Sequence, residues 1–451
     1  MKKTLLLAIL LFSLILSNAQ WEIVTQNIGN GYAARTDIEI APDGTIYLAY
    51  LSYSGGAYHG MVKKFNGSDW EIVGNANIFE LSAYFRFDLE IASDGTLYIA
   101  HNDETTGEMK MTVRKLNGSD WELVGEQSFS AGGIQFPQMA FDSNDIPYVV
   151  YRDYVNGHNA TVQKFNGTEW ELVGEAGFTE EGAWCTSIIL DHNDIPYVAY
   201  QDWSNGRKIS VNRFVEGEWE AVGNPGFSIG EAWTTNMAVD INNVLYVIYG
   251  DQGDGDNSYL KSWDGDSWET IGGGSFSQDA GLDANFIFDQ NNDVYVVYQD
   301  YSVSQAPASV MKLVDNNWEY LGEAGFAGTN CRYTTIAIDN SGSVYIAYVE
   351  MYNGQSLTVA KYPQDIIAVP TQEVSSLLIF PNPSSGIIYL TGINDLSRIE
   401  ISNISGQIIY NYQSSINNHQ LKIDLSNQPK GIYFLSIKTK NKAFTKRVII
   451  Q

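Results

Sequence analysis

The sequence predicts an all-β protein, a seven-bladed β-propeller of four-stranded blades followed by a small β-sandwich. Three observations carry that expectation. Tryptophan recurs at Trp21, Trp70, Trp121, Trp170, Trp219, Trp268 and Trp318, with gaps of 49, 51, 49, 49, 49 and 50 residues. A second marker, spelled TIYLAY, TLYIAH, IPYVVY, IPYVAY, VLYVIY, DVYVVY and SVYIAY, keeps the same interval. Its first tyrosines are Tyr47, Tyr98, Tyr148, Tyr197, Tyr246, Tyr295 and Tyr345. Beyond Tyr362 the pattern stops, and short alternating runs broken by Pro, Gly and Asn replace it. A fixed period of about fifty residues means stacked units, and the residue pattern decides their kind.

The elements follow in order. MKKTLLLAILLFSLILSNAQ opens the chain: two lysines, an apolar run from Leu5 to Leu16, then small residues at Ser17 and Ala19. This is the pattern of a secretory leader at residues 1–19, cleaved after Ala19 and too short for a membrane span. No cysteine stands at the new terminus, so a lipoprotein anchor is not expected, and no later stretch is long and apolar enough to cross a bilayer.

The propeller is expected over residues 20–364. In its third full unit PQMAFD, IPYVVYRD, NATVQKFN and EWELVG read as four strands, separated by DSND, YVNGH and NGTE. Asn-Gly between alternating runs marks a tight hairpin, because both central residues must tolerate positive φ. The eleven residues KFNGSDWEIVG, KLNGSDWELVG and KFNGTEWELVG, starting at Lys64, Lys115 and Lys164, are this hairpin with the outermost strand. Their tryptophan is expected to cover the blade edge. Trp21-Glu22-Ile23-Val24 is a fourth strand lacking three predecessors, and the last unit ends at LTVAKYP lacking a Trp-Glu. Placing the first in the last closes the ring and removes its open edge. Cys185 and Cys331 begin first strands of blades 4 and 7, too far apart across such a ring for a disulfide, so two free, largely buried thiols are expected.

Residues 365–376 read as a linker. The segment 377–451 contains LLIFPNPSSGIIYL, RIEISNISGQIIYN and IDLSNQPKGIYFLSIKTKNKAFTKRVIIQ. These runs predict a small antiparallel sandwich with a basic last hairpin. The segment resembles the C-terminal sorting domain of the type IX secretion system of Bacteroidota, through Phe380-Pro381-Asn382-Pro383 with Gly386, the ISNISGQIIY strand, Gly431-Ile432-Tyr433 and the lysine-containing tail. The resemblance implies handling by that secretion machinery, and a propeller released from the cell or held on its outer surface.

Charge is distributed to match. The whole chain carries a formal net charge of −27, yet residues 370–451 hold eight Lys/Arg against four Asp/Glu. The propeller is therefore strongly acidic, which disfavours nucleic acid and anionic membrane as partners.

Candidate binding groups fall on the face formed by loops entering each first strand and loops joining second to third strands. Trp184, Trp233, Phe136, Tyr84 and Tyr333 lie on the former, Tyr154 and Trp203 on the latter. Aromatic rings there would stack on sugars; the other reading is packing between blades. Asp153 and Asp202 belong to a series with Asp103, Asp251, Asp300 and Glu350, two residues past the second-strand tyrosine or, in unit 2, past His101. Such a series braces loops or binds a cation or polyol. Arg35, Arg86 and Arg332 begin the first strands of contiguous blades 1, 2 and 7, where three converging guanidinium groups would clamp a carboxylate or sulfate; the other reading is neutralisation of the acidic rim. Sialidases, also propellers, use an arginine trio this way, but their S-x-D-x-G-x-x-W turn is only approximated here by NGSDW and DGDSW. Calcium at Asp251, Asp254 and Asp256 is the sole metal reading offered, without EF-hand spacing, and no cofactor is implied. The histidines show no zinc spacing, though His59, His101 and His158 fall on the loop face of blades 1 to 3, a hint of acid–base chemistry. No nucleophilic triad, phosphate loop or dinucleotide fingerprint is present.

The functional expectation is a secreted or surface-displayed, non-catalytic binding or adhesion module for a glycan or a surface protein. The alternative is an extracellular carbohydrate-active enzyme, a sialidase-like glycosidase or a polysaccharide lyase.

Overall fold

The computed structural model describes residues 20–29, 31–83, 86–364, 378–380, 384, 386–391, 396–403, 408–412, 420–439 and 443–450. The leader at 1–19, the linker at 365–376, Tyr84 and the sorting-motif residues Pro381, Asn382 and Pro383 lie outside the described residues. Two compact units emerge, 1–364 and 365–451.

The first unit is a ring of seven antiparallel sheets. First strands run, from blade 1 to blade 7, over Ala33–Ile40, Phe87–Ile91, Ile134–Phe141, Ala183–Leu190, Ala232–Val239, Gly281–Phe288 and Cys331–Ile338. In blade 3 the remaining strands are Pro147–Asp153, Asn159–Phe165 and Trp170–Leu172. Blade 1 adds a short strand, Glu80–Leu81, against Tyr58 and His59. The fourth strand of blade 7 is Glu22–Ile28, which pairs antiparallel with Ser356–Tyr362. The ring thus closes with the start of the chain, as the unmatched Trp-Glu predicts.

Second strands are buried along their whole length in blades 3, 4, 6 and 7. A strand inside a blade meets apolar neighbours on both faces, so it reads as a continuous run such as IPYVVY rather than an alternating one. Core clusters accordingly span blade pairs: Val150 and Val162 of blade 3 pack with Ile188 and Val198 of blade 4.

The tryptophans do more than cover an edge. Each indole reaches back to the preceding blade. Trp121 Nε1 donates to Val73 O at 3.1 Å, Trp170 to Val124 O at 2.7 Å, Trp219 to Val173 O at 2.9 Å, and Trp268 to Val222 O at 2.9 Å. Trp318 and Trp21 repeat this with Ile271 O and Leu321 O. The glycine that ends each motif makes room for the next indole. At Gly174, φ is +76°, and a Cβ would lie 2.9 Å from Trp219. The spelling WELVG therefore encodes a donor, its acceptor carbonyl and the space for the neighbour's ring. A phenylalanine on the following loop stacks on the same indole: Phe178 on Trp219 at 4.2 Å and Phe326 on Trp21 at 3.9 Å.

Cys185 and Cys331 are buried and not joined in a disulfide.

The second unit pairs a three-stranded sheet (Leu378–Phe380, Ile387–Thr391, Gln420–Asp424) with a four-stranded one ordered Ile408–Tyr412, Leu396–Asn403, Gly431–Thr439 and Ala443–Ile450. Ile388, Leu390, Ile399, Ile401, Ile423 and Leu435 form its core. Motif stretches distant in sequence meet at Ile450, which bridges Ser384 and pairs with Gly431. At Gly386, φ is +120° and a Cβ would sit 2.6 Å from Ser426 Cα. Tyr433 anchors the start of its strand by donating to Pro429 O at 2.6 Å.

Candidate functional site

First strands line a central channel with a cavity of about 540 Å³. One register position contributes a polar side chain from every blade: Asp37, Asp88, Gln138, Ser187, Asn236, Asn285 and Thr335. These groups tie blade to blade. Asp37 accepts from Leu89 N at 2.9 Å, Asp88 from Met139 N at 2.7 Å, and Asn236 Nδ2 donates to Asn285 Oδ1 at 2.9 Å.

Two residues further along, symmetry breaks. Blades 1 and 2 carry Glu39 and Glu90, where the others carry Ala140, Ile189, Ala238, Ile287 and Ala337. Burial pushes Asp37 up to about 6, against the opposing bonds from Leu89 and Thr335. Burial, then the negative charges of Asp37 and Asp88, hold Glu39 well above the usual carboxylate range. Asp88 is raised by burial and by Asp37, with Met139 N–H and Arg86 opposing. Glu90 is raised by burial, then by Asp88, Glu39 and Asp37. Four carboxyl groups thus crowd one sector, each with its pKa raised chiefly by burial. The motif R-x-D-x-E-I, spelled RTDIEI from Arg35 and RFDLEI from Arg86, occurs in these blades alone. Comparing first strands with one another would have revealed it.

Arg35 and Arg86 line the same cavity as these acids. Arg35 occupies a strand bulge at φ 53° and lies 4.7 Å from the Tyr333 ring centroid. Arg86 lies 5.1 Å from that of Phe136. Arg332 stands one position before Tyr333, opposite Val349, and does not line the channel. The structure brings two of the three arginines to the channel mouth.

The aromatic candidates gather over blades 3 and 4. Phe136 and Trp184 approach to 4.9 Å, and Trp184 and Trp203 stack at 6.5 Å. Against both indoles lies Arg152, which no sequence motif marks. Its guanidinium sits 4.7 Å from Trp184, 5.2 Å from Trp203 and 5.8 Å from Tyr154. Arg207 covers Trp203 at 5.3 Å. The order Arg86, Phe136, Trp184, Arg152, Trp203, Arg207 forms one continuous strip of rings and guanidinium groups. Trp233 stays half-buried at the entry to blade 5, opposite Gly250, with no ring partner among the described residues. Exposed Tyr32, Tyr53 and Tyr352 add aromatic surface to the loops of blades 7 and 1.

The acidic series braces its own loops. Asp153 is 1% exposed and accepts from Val155 N, Asn156 Nδ2 and Thr161 Oγ1. Asp202 accepts from Ser204, Asn205 Nδ2 and Ser210 Oγ. Asp251 caps a short helical turn and accepts from the N–H groups of Ile229, Gly230 and Gly253. Asp254 accepts from Tyr259 and Asn257 instead. Among the described residues no three His, Cys, Asp or Glu converge to hold a metal. His101 is core: it stacks on Phe79 at 4.1 Å, and burial pushes its pKa down to about 4.

Residues 378–451 match the family described as the secretion system C-terminal sorting domain. That segment is a type IX sorting domain, which implies export to the cell surface or beyond. No curated protein matches the chain. Among solved structures, a fungal alcohol oxidase in complex with copper is 10% identical with a TM-score of 0.53, covering 96% of this chain and 100% of its own. An ulvan lyase bound to -[GlcA(1-4)Rha3S]- is 13% identical with a TM-score of 0.51, covering 73% of this chain and 94% of its own. A second structure of that lyase is 12% identical, also with a TM-score of 0.51, covering 73% of this chain and 94% of its own. At these identities the likeness is one of fold.

Proposed function

We propose that the propeller is a non-catalytic binding module for an extracellular glycan, delivered outside the cell by its sorting domain and gripping its ligand on the loop face over blades 2 to 4. The supporting observation is the continuous strip of rings and guanidinium groups there. Sugar rings present apolar faces to indoles and hydroxyl oxygens to guanidinium donors. Asp153 and Asp202, which neighbour Arg152 and Trp203 in sequence, have their oxygens committed to loop bonds, and Glu231 is paired with Arg207.

The test is a glycan array with the full chain, each bound glycan then being incubated and checked for cleavage. Binding without turnover is expected. Removing one half-buried aromatic anchor, Trp203→Ala, is expected to weaken affinity on the order of 10- to 100-fold. Failure to bind any glycan would sink the reading.

A second reading, an enzyme, is favoured by one observation. The acids of blades 1 and 2 hold raised pKa values in a cavity beneath Arg35 and Arg86, and such perturbation is common at catalytic sites. Turnover of a bound glycan, abolished by Glu39→Gln, would establish it.

A further inference from the structure

Arg152 is 5% exposed. Its Nη1 donates to Gln135 Oε1 at 2.9 Å. Its Nε is buried without a hydrogen-bond partner, and no carboxylate lies within 4.0 Å of the guanidinium among the described residues. A buried charge without a counter-charge is costly, and ring faces compensate it only in part. Burial shows in its pKa, which is lowered.

The fold does not require a charge at this position. Blade 2 places Asn102 there and blade 4 places Gln201, and each amide donates to the first-strand carbonyl of the next blade, Ile134 O and Ala232 O respectively. Blade 6 uses Gln299, which donates to Asn330. Neutral amides do the structural work in three blades. Arginine in the fourth case adds a buried cation and three aromatic walls.

The second end of the strip repeats the theme. Arg86 lies over Phe136, its Nε also buried without a hydrogen-bond partner among the described residues. Arg207, by contrast, has Glu231 at 3.4 Å. Two guanidinium groups, joined by Phe136 and Trp184, therefore have no carboxylate within 4.0 Å among the described residues, with Asp88 acting on Arg86 from farther off, on an otherwise strongly acidic body. A generally basic surface would attract any polyanion; this one repels them at long range. Affinity for an anion here has to come from local, geometrically specific contacts.

We infer that the strip selects acidic saccharides, with Arg152 and Arg86 pairing the carboxylate of a uronic acid or the oxygens of a sulfate ester while Trp184 and Trp203 hold the sugar faces. The inference rests on the glycan-binding reading above and names its ligand class. The shared chemistry is an oxyanion on a sugar ring, which a guanidinium fork recognises by charge-assisted hydrogen bonds.

The test measures binding of the full chain to three probes by calorimetry: polygalacturonate oligomers, their carboxyl-reduced neutral counterparts, and sulfated galactan oligomers. At least one acidic probe is expected to bind on the order of 10- to 100-fold more tightly than the neutral one. The two acidic arms distinguish carboxylate from sulfate. Arg152→Gln and Arg86→Gln should each erase most of that preference, and Arg152→Lys, which keeps charge without the fork, should retain part of it. Arg213→Gln, at a residue paired with Glu220 away from the strip, should change nothing. If Arg152→Gln does not fold, Arg86→Gln decides. Equal binding of neutral and acidic probes, or an acid preference that survives both glutamine variants, overturns the inference and leaves the glycan-binding reading standing. Absence of binding to all three probes and to the array overturns both.

Discussion

Replacing Asp37 by asparagine should stabilise the propeller at neutral pH and do nothing at pH 4. Asp37 has its pKa raised from 3.8 to about 6, chiefly by burial. The folded chain therefore holds this proton more tightly than the unfolded chain. Its contribution is fully favourable below about pH 4 and is lost as pH rises through about 6. At roughly 1.4 kcal/mol per unit, ionising Asp37 in the fold costs about 3 kcal/mol at pH 7.5. Water in the channel screens part of that, so about 1–3 kcal/mol is the expected gain from removing the charge. Asparagine keeps an oxygen to accept from Leu89 N, and Asn236 and Asn285 already fill the same register in blades 5 and 6. For a ring of about 340 residues the unfolding entropy is about 0.7 kcal/mol/K, so the melting temperature should rise by about 1.5–4 °C. The assay is calorimetric melting of both proteins between pH 4 and 8. The wild type will also gain stability on acidification simply because its net charge of −27 falls. The deciding quantity is therefore the difference between the two proteins at each pH. A difference that is negative at pH 7.5, or constant across the range, would refute the account of the channel acids.

Two further outcomes follow from the blade contacts. Gly174→Ala combines a positive φ with a Cβ 2.9 Å from Trp219, whereas Gly167→Ala has a positive φ and open space; the first should cost about 2–4 kcal/mol and the second about 1 kcal/mol in denaturant titrations. Equal costs would show that the indole is not held against that glycine. Deleting residues 20–28 exposes the edge of Ser356–Tyr362 and removes Trp21, so the truncated chain should associate or precipitate in size-exclusion chromatography. A monomeric truncation with an unchanged melting temperature would contradict the closure described here.

The ring was legible because its determinants are local and repeated. A tryptophan, an Asn-Gly turn and an IPYVVY run recur at one period, and repetition separates signal from composition. The back-bonding of Trp219 to Val173 was not legible, since the motif spells both partners without saying that they belong to different blades. The site was read unevenly. Loop position points to Trp184, Trp203 and Tyr154, and the structure gathers them; position at a strand start points to Arg332, and strand register sets it one residue off Arg35 and Arg86. Arg152 escaped because YRDY looks like one more copy of YQDW. Its difference from Gln201 is one side chain, and only burial reveals what that change does. The channel acids escaped for a related reason: alternation places Asp37 and Glu39 on one strand face, but nothing local says that Asp88 and Glu90 face them.

Closure by Glu22–Ile28 has a consequence for assembly. Glu22 pairs with Lys361, so the clasp comes early in the chain and its receptor late. Until both exist, the blades form an open arc with complementary ends. Two such arcs satisfy each other as well as themselves, which makes strand exchange between copies the characteristic error of this architecture. Ring completion is then a check on the integrity of the whole propeller. A product that lacks either Glu22–Ile28 or Ser356–Tyr362 remains an open arc, the state most accessible to proteases.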